Sequence, residues 1–174
     1  MTDDPLALEF DRLVPGAKTR SRGRTITETD LVSFSALTGD WHPQHSDAEW
    51  AARGPFGERI AHGMLIVSYA LGMLAIDPDR VVALRAIRNV VFKRPVAIGT
   101  TIAVEAEVVS TRPLDAEQGL VELALRVRDG DRRLVARATL EAVWRRDAEA
   151  ASAINASAPV DAEESPLMAG QVLL

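Results

Sequence analysis

The sequence predicts an α+β fold in which an antiparallel β-sheet wraps around one central apolar helix. Three features of the 174-residue chain carry that expectation. The run from Met64 to Ile76 is apolar on nearly every helical face, and such a helix is normally surrounded by protein. At 13 residues, interrupted by Ser68 and Gly72, it falls short of the roughly 20 apolar residues a membrane span needs. Beyond it, segment after segment alternates apolar and polar residues with period two, the pattern of an antiparallel sheet with one wet face.

Taken in order, residues 1–25 show little periodicity, with a turn at Pro15-Gly16 and a short strand expected on either side. Thr27 suits a helix N-cap, followed by Glu28 and Asp30 at the positive end of the helix. Leu31, Phe34 and Leu37 give that helix an apolar stripe, and Gly39 ends it. Asp40 to Asp47 is expected as an ordered loop, because Pro43 disfavours helix at His42 and fixes its own φ. Asp47 is placed to cap a short helix through Glu49, Trp50 and Ala52. Gly54-Pro55-Phe56-Gly57 is another turn. The apolar helix then runs from near His62 to about Ile76, where Asp77-Pro78-Asp79 stops it.

The strands follow. Val90 to Phe92 is one, and alternating segments begin at Thr101, Val121 and Leu134. Asp129-Gly130 marks a hairpin between the last two. From Asp147 the composition shifts to Ala, Glu, Ser and Pro. The expected organisation is therefore one domain over residues 1–146 and a flexible tail over 147–174, with an apolar end at Leu167-Met168 and Val172 to Leu174. Wrapping the sheet around the helix is the hot-dog arrangement. A lone copy would leave a helix face or a sheet edge uncovered, which a homodimer or higher homo-oligomer would cover.

Composition narrows the function classes. The chain is 47% hydrophobic, enough for a sizeable core, with a net charge of −5 and no basic block. That argues against nucleic acid and against an anionic membrane surface as partners. It has no cysteine, which excludes disulfides, thiol nucleophiles and thiolate metal sites. Met1 to Phe10 is acidic and lacks the basic and apolar regions of a signal peptide, so a cytoplasmic protein is expected.

All three histidines, His42, His45 and His62, lie within 21 residues, with Asp40 and Asp47 interleaved. Imidazole is the side chain best suited to proton transfer near neutrality, and a neighbouring carboxylate can share its proton or its water. An Asp and a His in such a segment also suit a purely loop-ordering pair. In Ile60-Ala61-His62-Gly63-Met64 the chain turns into the apolar helix. The first N–H groups of a helix lack internal partners, and a glycine lets a ligand approach. The Gly63 N–H is thus placed to receive a carbonyl oxygen that is gaining charge. His62 reads better as a structural ring bonded to backbone than as a third proton carrier. Asp40, His42, His45 and His62 also form a conceivable set of metal ligands. Their spacing is not that of a known metal motif, and no metal is expected. Arg85, Arg88, Lys93 and Arg94 form a basic cluster that suits phosphates or an acidic carrier protein, or simply a solvated strand face.

Gly39-Asp40-Trp41-His42-Pro43-Gln44-His45-Ser46-Asp47 resembles the signature G-D-x-N-P-x-H-x-D of the MaoC-like, (R)-specific enoyl-CoA hydratases. Ala61-His62-Gly63-Met64-Leu65 is similar to the family's second motif, and Phe92, Pro95, Val96 and Gly99 to a looser third. The resemblance covers about residues 24–145. It implies a hot-dog fold, a dimer, and syn hydration of a trans-2-enoyl thioester to an (R)-3-hydroxyacyl thioester. Asp40 and His45 would activate the water and serve C2, and Gly63 would hold the thioester oxygen. His62, His42 and Met64 complete the expected oxyanion and substrate-binding positions. Coenzyme A or acyl carrier protein would enter as part of the substrate, with no separate cofactor. Two departures stand out: His42 replaces the family's Asn, and Leu71 stands where some relatives carry a helix serine, leaving Ser68 as the only helix hydroxyl. A hot-dog acyl-CoA thioesterase and a non-catalytic hot-dog subunit of a heteromeric hydratase are the alternatives.

Overall fold

The computed structural model describes residues 4–146, so the expected tail over 147–174 and its apolar end lie outside the described residues. Six antiparallel strands form the sheet: β1 (Lys18–Arg20), β2 (Arg24–Thr25), β3 (Val81–Phe92), β4 (Thr101–Pro113), β5 (Gln118–Arg128) and β6 (Leu134–Arg145). Their order is β1-β4-β5-β6-β3, with β2 also on β4. The period-two pattern does what it predicts. Val121, Leu123, Leu125 and Val127 of β5 are buried while the residues between them are partly exposed. On that outer face Arg126 and Arg128 pair with Glu107 and Glu105 of β4 at 3.0 and 2.6 Å.

The β5–β6 hairpin forms, but not through a two-residue turn at Asp129-Gly130. The Asp129 Oδ1 accepts the N–H groups of Asp131 and Arg133, and Arg132 rather than Gly130 takes the left-handed conformation, with φ 64°. An aspartate that folds the backbone back onto its own carboxylate makes a wider turn. Strand β3 begins at Val81, nine residues earlier than the strand expected at Val90. Three register shifts against β6 interrupt it, and Asn89 lies between two of the affected positions with φ 53°. Bulges of this kind erase the alternation that a sequence reading depends on.

Among the described residues four α-helices accompany the sheet, α1 (Glu28–Thr38), α2 (Pro43–Ser46), α3 (Ala48–Ala52) and α4 (Gly63–Gly72), of which α4 packs on β5 and β6. The start of α1 is a capping box, in which Thr27 and Asp30 exchange side-chain to backbone bonds, and Gly39 closes it at φ 77°. Its inner face carries Leu31 and Ser35, whereas Leu37 points outward and is exposed. Helix α2 is one turn where a loop was expected, since Pro43 suits the first helical position. Asp47 caps α3 through the Trp50 N–H at 2.9 Å. Helix α4 stops at Gly72, short of Ile76.

The α4 residues Leu65, Ile66 and Ala70 join Val104, Leu123 and Leu140 of the sheet in one core. Coverage is incomplete, because Met64 is 51% exposed and Ser68 is also exposed. The N-terminal segment closes another side of the core. Leu6, Phe10 and Leu13 are buried, and the Trp144 indole donates to the Leu8 carbonyl at 2.9 Å. Before Pro15-Gly16 there is a 3-10 turn over Phe10–Arg12 rather than a strand; β1 follows it as expected.

A polar tie joins α1 to α4. The Tyr69 hydroxyl donates to Asp30, Arg24 donates to both, and its guanidinium lies 4.0 Å from the Tyr69 ring centre. Burial pushes the Asp30 carboxyl up, but hydrogen bonds from Tyr69, Thr27 and Arg24 outweigh it and hold the group at about 2.

Candidate active site

Gly39 ends α1 and turns the chain so that Asp40 opens the segment leading to α2. The Asp40 Oδ1 accepts the His42 N–H at 3.2 Å, and the His42 Nδ1 in turn accepts the Gln44 N–H at 3.2 Å. His45 follows on the same turn. Its Nδ1 lies 2.7 Å from the Ile60 carbonyl, which can only accept, so Nδ1 carries the hydrogen. The Nε2 lone pair is then the one left for chemistry. The Ile60 N–H returns a bond to the Gln44 carbonyl at 3.3 Å, which clamps α2 onto the segment entering α4.

His62 is 2% exposed and lies beneath this arrangement. Its Nε2 donates to the Asp40 carbonyl at 3.0 Å and lies 3.2 Å from the Ser35 hydroxyl. Its ring stacks on His45 with centroids 3.8 Å apart, and the Phe34 ring packs against it, tilted, with centroids 5.0 Å apart. One ring therefore ties together the end of α1, the Asp40 backbone and the His45 imidazole.

Asp40, His45 and His62 each place a nitrogen or carboxylate oxygen within 4.8 Å of the others. His42 is not in that group, so the four-ligand set conceived from sequence is not assembled. The His62 Nε2 is engaged by the Asp40 carbonyl, and the His45 Nδ1 by Ile60. A cation would compete with both bonds. Burial lowers the His45 pKa; the Ile60 bond and Asp40 oppose this, and charge on His62 or His42 adds to it. The balance favours the neutral imidazole.

These groups open into a cavity of about 580 Å³. Asp40, His45, His62, Gly63 and Met64 all line it, and His42 does not. Gly63 is the first residue of α4, where the N–H has no intrahelical partner. The reason for glycine is visible: a Cβ there would meet the Phe92 ring at 2.6 Å. Phe92, 48% exposed, roofs the helix start from β3. Phe34, Phe56, Ile66 and Val135 supply apolar wall. Of the basic cluster, Lys93 and Arg94 line the cavity, while Arg85 and Arg88 are held by the buried Glu141. Ser68 bonds back to the Met64 carbonyl and is not a lining residue.

Sequence reasoning missed Ser35 and Ile60. Ser35 had one available signal, a hydroxyl four residues after Leu31 on the inner face of α1. Ile60 acts through its carbonyl, which no side-chain pattern reports.

A family model, the MaoC like domain, matches residues 12–129. The chain belongs to that family. It is 38% identical over 101 residues to Protein MaoC of Klebsiella aerogenes, covering 58% of this chain and 30% of that protein. It is 37% identical over 93 residues to a 3-hydroxybutyryl-CoA dehydratase of Methylorubrum extorquens, covering 52% of this chain and 57% of the relative. An (R)-specific enoyl-CoA hydratase of Rhodospirillum rubrum is 30% identical over 113 residues, covering 65% of this chain and 78% of that enzyme. Among solved structures, the unliganded R-hydratase PhaJ1 of Pseudomonas aeruginosa aligns with a TM-score of 0.67 at 29% identity, covering 94% of this chain and 97% of that one. A Mycobacterium tuberculosis protein with a double hotdog fold aligns with a TM-score of 0.72 at 25% identity, over 82% of this chain and 45% of that one. The wrapped sheet and helix are thus a hot-dog fold.

Proposed function

We propose that this protein is a hydro-lyase that adds water reversibly to trans-2-enoyl thioesters, giving (R)-3-hydroxyacyl thioesters. The observation that carries the reading is the meeting of Asp40 and His45 in a cavity that the start of α4 at Gly63 also lines. The hydratase and dehydratase relatives support the same reaction class, and the (R) outcome follows the Rhodospirillum relative's specificity.

Water is held between Asp40 and the His45 Nε2. Its oxygen bonds to C3 while one of its protons passes to the pair, and the C2=C3 π bond breaks. The charge that moves onto the thioester oxygen is met by the Gly63 N–H. A proton from the pair then bonds to C2, so one water is added and the protein is unchanged. In reverse the same groups remove the C2 proton and protonate the departing hydroxyl. Acid–base catalysis of this kind contributes about 10²–10⁴-fold, and one oxyanion donor about 10²–10³-fold.

The apolar wall formed by Phe34, Phe56 and Ile66 suits an acyl chain. Lys93 and Arg94 suit the anionic carrier, coenzyme A or the acidic surface of a carrier protein. The working form is a homodimer. β3 ends the sheet, and Val82, Leu84 and Phe92 on it are exposed apolar residues that a second copy would cover.

The test is the loss of conjugated-enoyl absorbance with a series of trans-2-enoyl-CoAs, run beside a free-thiol assay. Absorbance loss without thiol release is the expected result. Thiol release instead would make the protein a thioesterase.

A further inference from the structure

We propose that Phe92 is a positioning residue for the Gly63 N–H, and that an extra residue in β3 beside Asn89 turns its ring onto the start of α4. The inference rests on the reading of that N–H as the oxyanion donor. Gly63 supplies the first observation. A Cβ there would meet the Phe92 Cζ, Cε2 and Cε1 atoms at 2.6, 2.7 and 2.9 Å. Three adjoining ring atoms at nearly equal distance put the face of the ring, not its rim, against the Gly63 Cα. Gly63 is the first residue of α4, where no preceding helical turn holds the N–H. The ring supplies packing on the side that a helix interior would otherwise provide.

The register of β3 explains how a ring from that strand reaches the helix. Ile87 pairs with Leu140 and Phe92 with Ala136, so five steps on β3 match four on β6. Leu140 and Ala136 are both buried and, an even number of steps apart, share one face of the sheet. In an unbroken strand Ile87 and Phe92 would lie on opposite faces. The register shift between Arg88 and Val91 absorbs the odd residue and brings Phe92 to the inner face, opposite Ala136, which also lines the cavity. Asn89 lies inside that interval at φ 53°, a left-handed conformation that asparagine tolerates and a β-branched residue does not. It is exposed and does not line the cavity, so its part is played through the backbone.

Backbone bonds fix the two segments that the ring joins. Just past Phe92, the Lys93 and Arg94 N–H groups both donate to the Val135 carbonyl, at 2.8 and 3.3 Å. Two residues before Gly63, the Ala61 N–H donates to the Val96 carbonyl at 2.7 Å. The end of β3 and the entry to α4 are thus held to one frame, and the Phe92 ring closes the space between them. An oxyanion donor works only if it already points at the place where charge develops. Phe92 makes no bond to that oxygen; it acts by holding the residue that does.

The experiment compares wild type, Phe92→Ala, Asn89→Gly and Asn89→Val, each confirmed folded. Two readouts are taken: the Gly63 Hα resonances by NMR, and kcat and KM on a trans-2-enoyl-CoA. A proton over the face of an aromatic ring resonates upfield, so one Gly63 Hα should lie well upfield of its geminal partner in wild type. Glycine accepts the left-handed backbone, so Asn89→Gly should keep that shift and keep kcat within about threefold. Phe92→Ala and Asn89→Val should both lose the shift and lose kcat by about 10- to 10²-fold, the scale of a misplaced group, with KM within about threefold. Gly63 Hα resonances without the upfield shift in wild type would overturn the proposal. So would a Phe92→Ala loss confined to KM, or an Asn89→Val that behaves like Asn89→Gly. The NMR readout needs no turnover. The expected shifts in a protein that hydrates no enoyl thioester would remove the functional reading and overturn the positioning role, while the Phe92 contact and the bulge that makes it would stand.

Discussion

At the scale of single residues, His45 decides how the site responds to pH. Its folded pKa lies below the usual histidine value, chiefly through burial. The acid limb of kcat/KM should therefore fall below about pH 6.5. Stability carries the same sign. Between the unfolded value and the lower folded value, the unfolded chain binds more protons, so stability declines as pH falls through that window. A His45→Gln variant should lose this slope, read as the pH dependence of the urea midpoint. Residue identity made the pair legible, since Asp40, His45 and Gly63 stand in recognisable motifs. The support beneath them was not legible. Ser35 and the Ile60 carbonyl act through contacts made only once α1, α2 and the entry to α4 are folded together.

At the scale of elements, the tie between α1 and α4 fixes the relation of the Asp40 segment to the Gly63 helix start. Asp30, with its carboxyl lowered from 3.8 to about 2, contributes on the order of 2 kcal/mol above pH 4, lost as pH falls toward 2. An Asp30→Asn variant should lower the denaturant-derived stability at pH 7 by about that amount. A loss under about 0.5 kcal/mol would contradict the assignment. Strand β5 offers a second check. A Cβ on Gly119 would come within 2.2 Å of the buried Phe10 ring, so Gly119→Ala should cost about 1–3 kcal/mol by overpacking. Elements with regular alternation or standard caps, such as α1, β5 and β6, could be read from sequence. The bulged start of β3 and the N-terminal cover of the core could not, because neither repeats at a fixed period.

For the whole molecule, exposed apolar residues border both the cavity and the end of the sheet. Met64 and Phe92 are half exposed beside the cavity, and Leu84, 52% exposed, sits on the terminal strand of the sheet. Closing that edge with a second copy would also shelter the cavity mouth. Sedimentation should find a dimer, and Leu84→Glu should shift it toward monomer by placing carboxylates on the paired edge. A wild-type protein that sediments as a monomer at micromolar concentration would contradict this assembly. The sheet wrapped around an apolar helix and an uncovered edge or helix face were legible from the chain, whereas the strand that forms the edge, β3, is a property of the assembled sheet.

The most direct test compares wild type with Asp40→Asn and His45→Ala on a trans-2-enoyl-CoA substrate, following enoyl absorbance after confirming that both variants fold. Loss of 10²-fold or more in kcat in each variant is the expected result, at the scale of about 10²–10⁴-fold for acid–base catalysis. Folded variants that retain wild-type turnover would contradict the assignment of the Asp40–His45 pair.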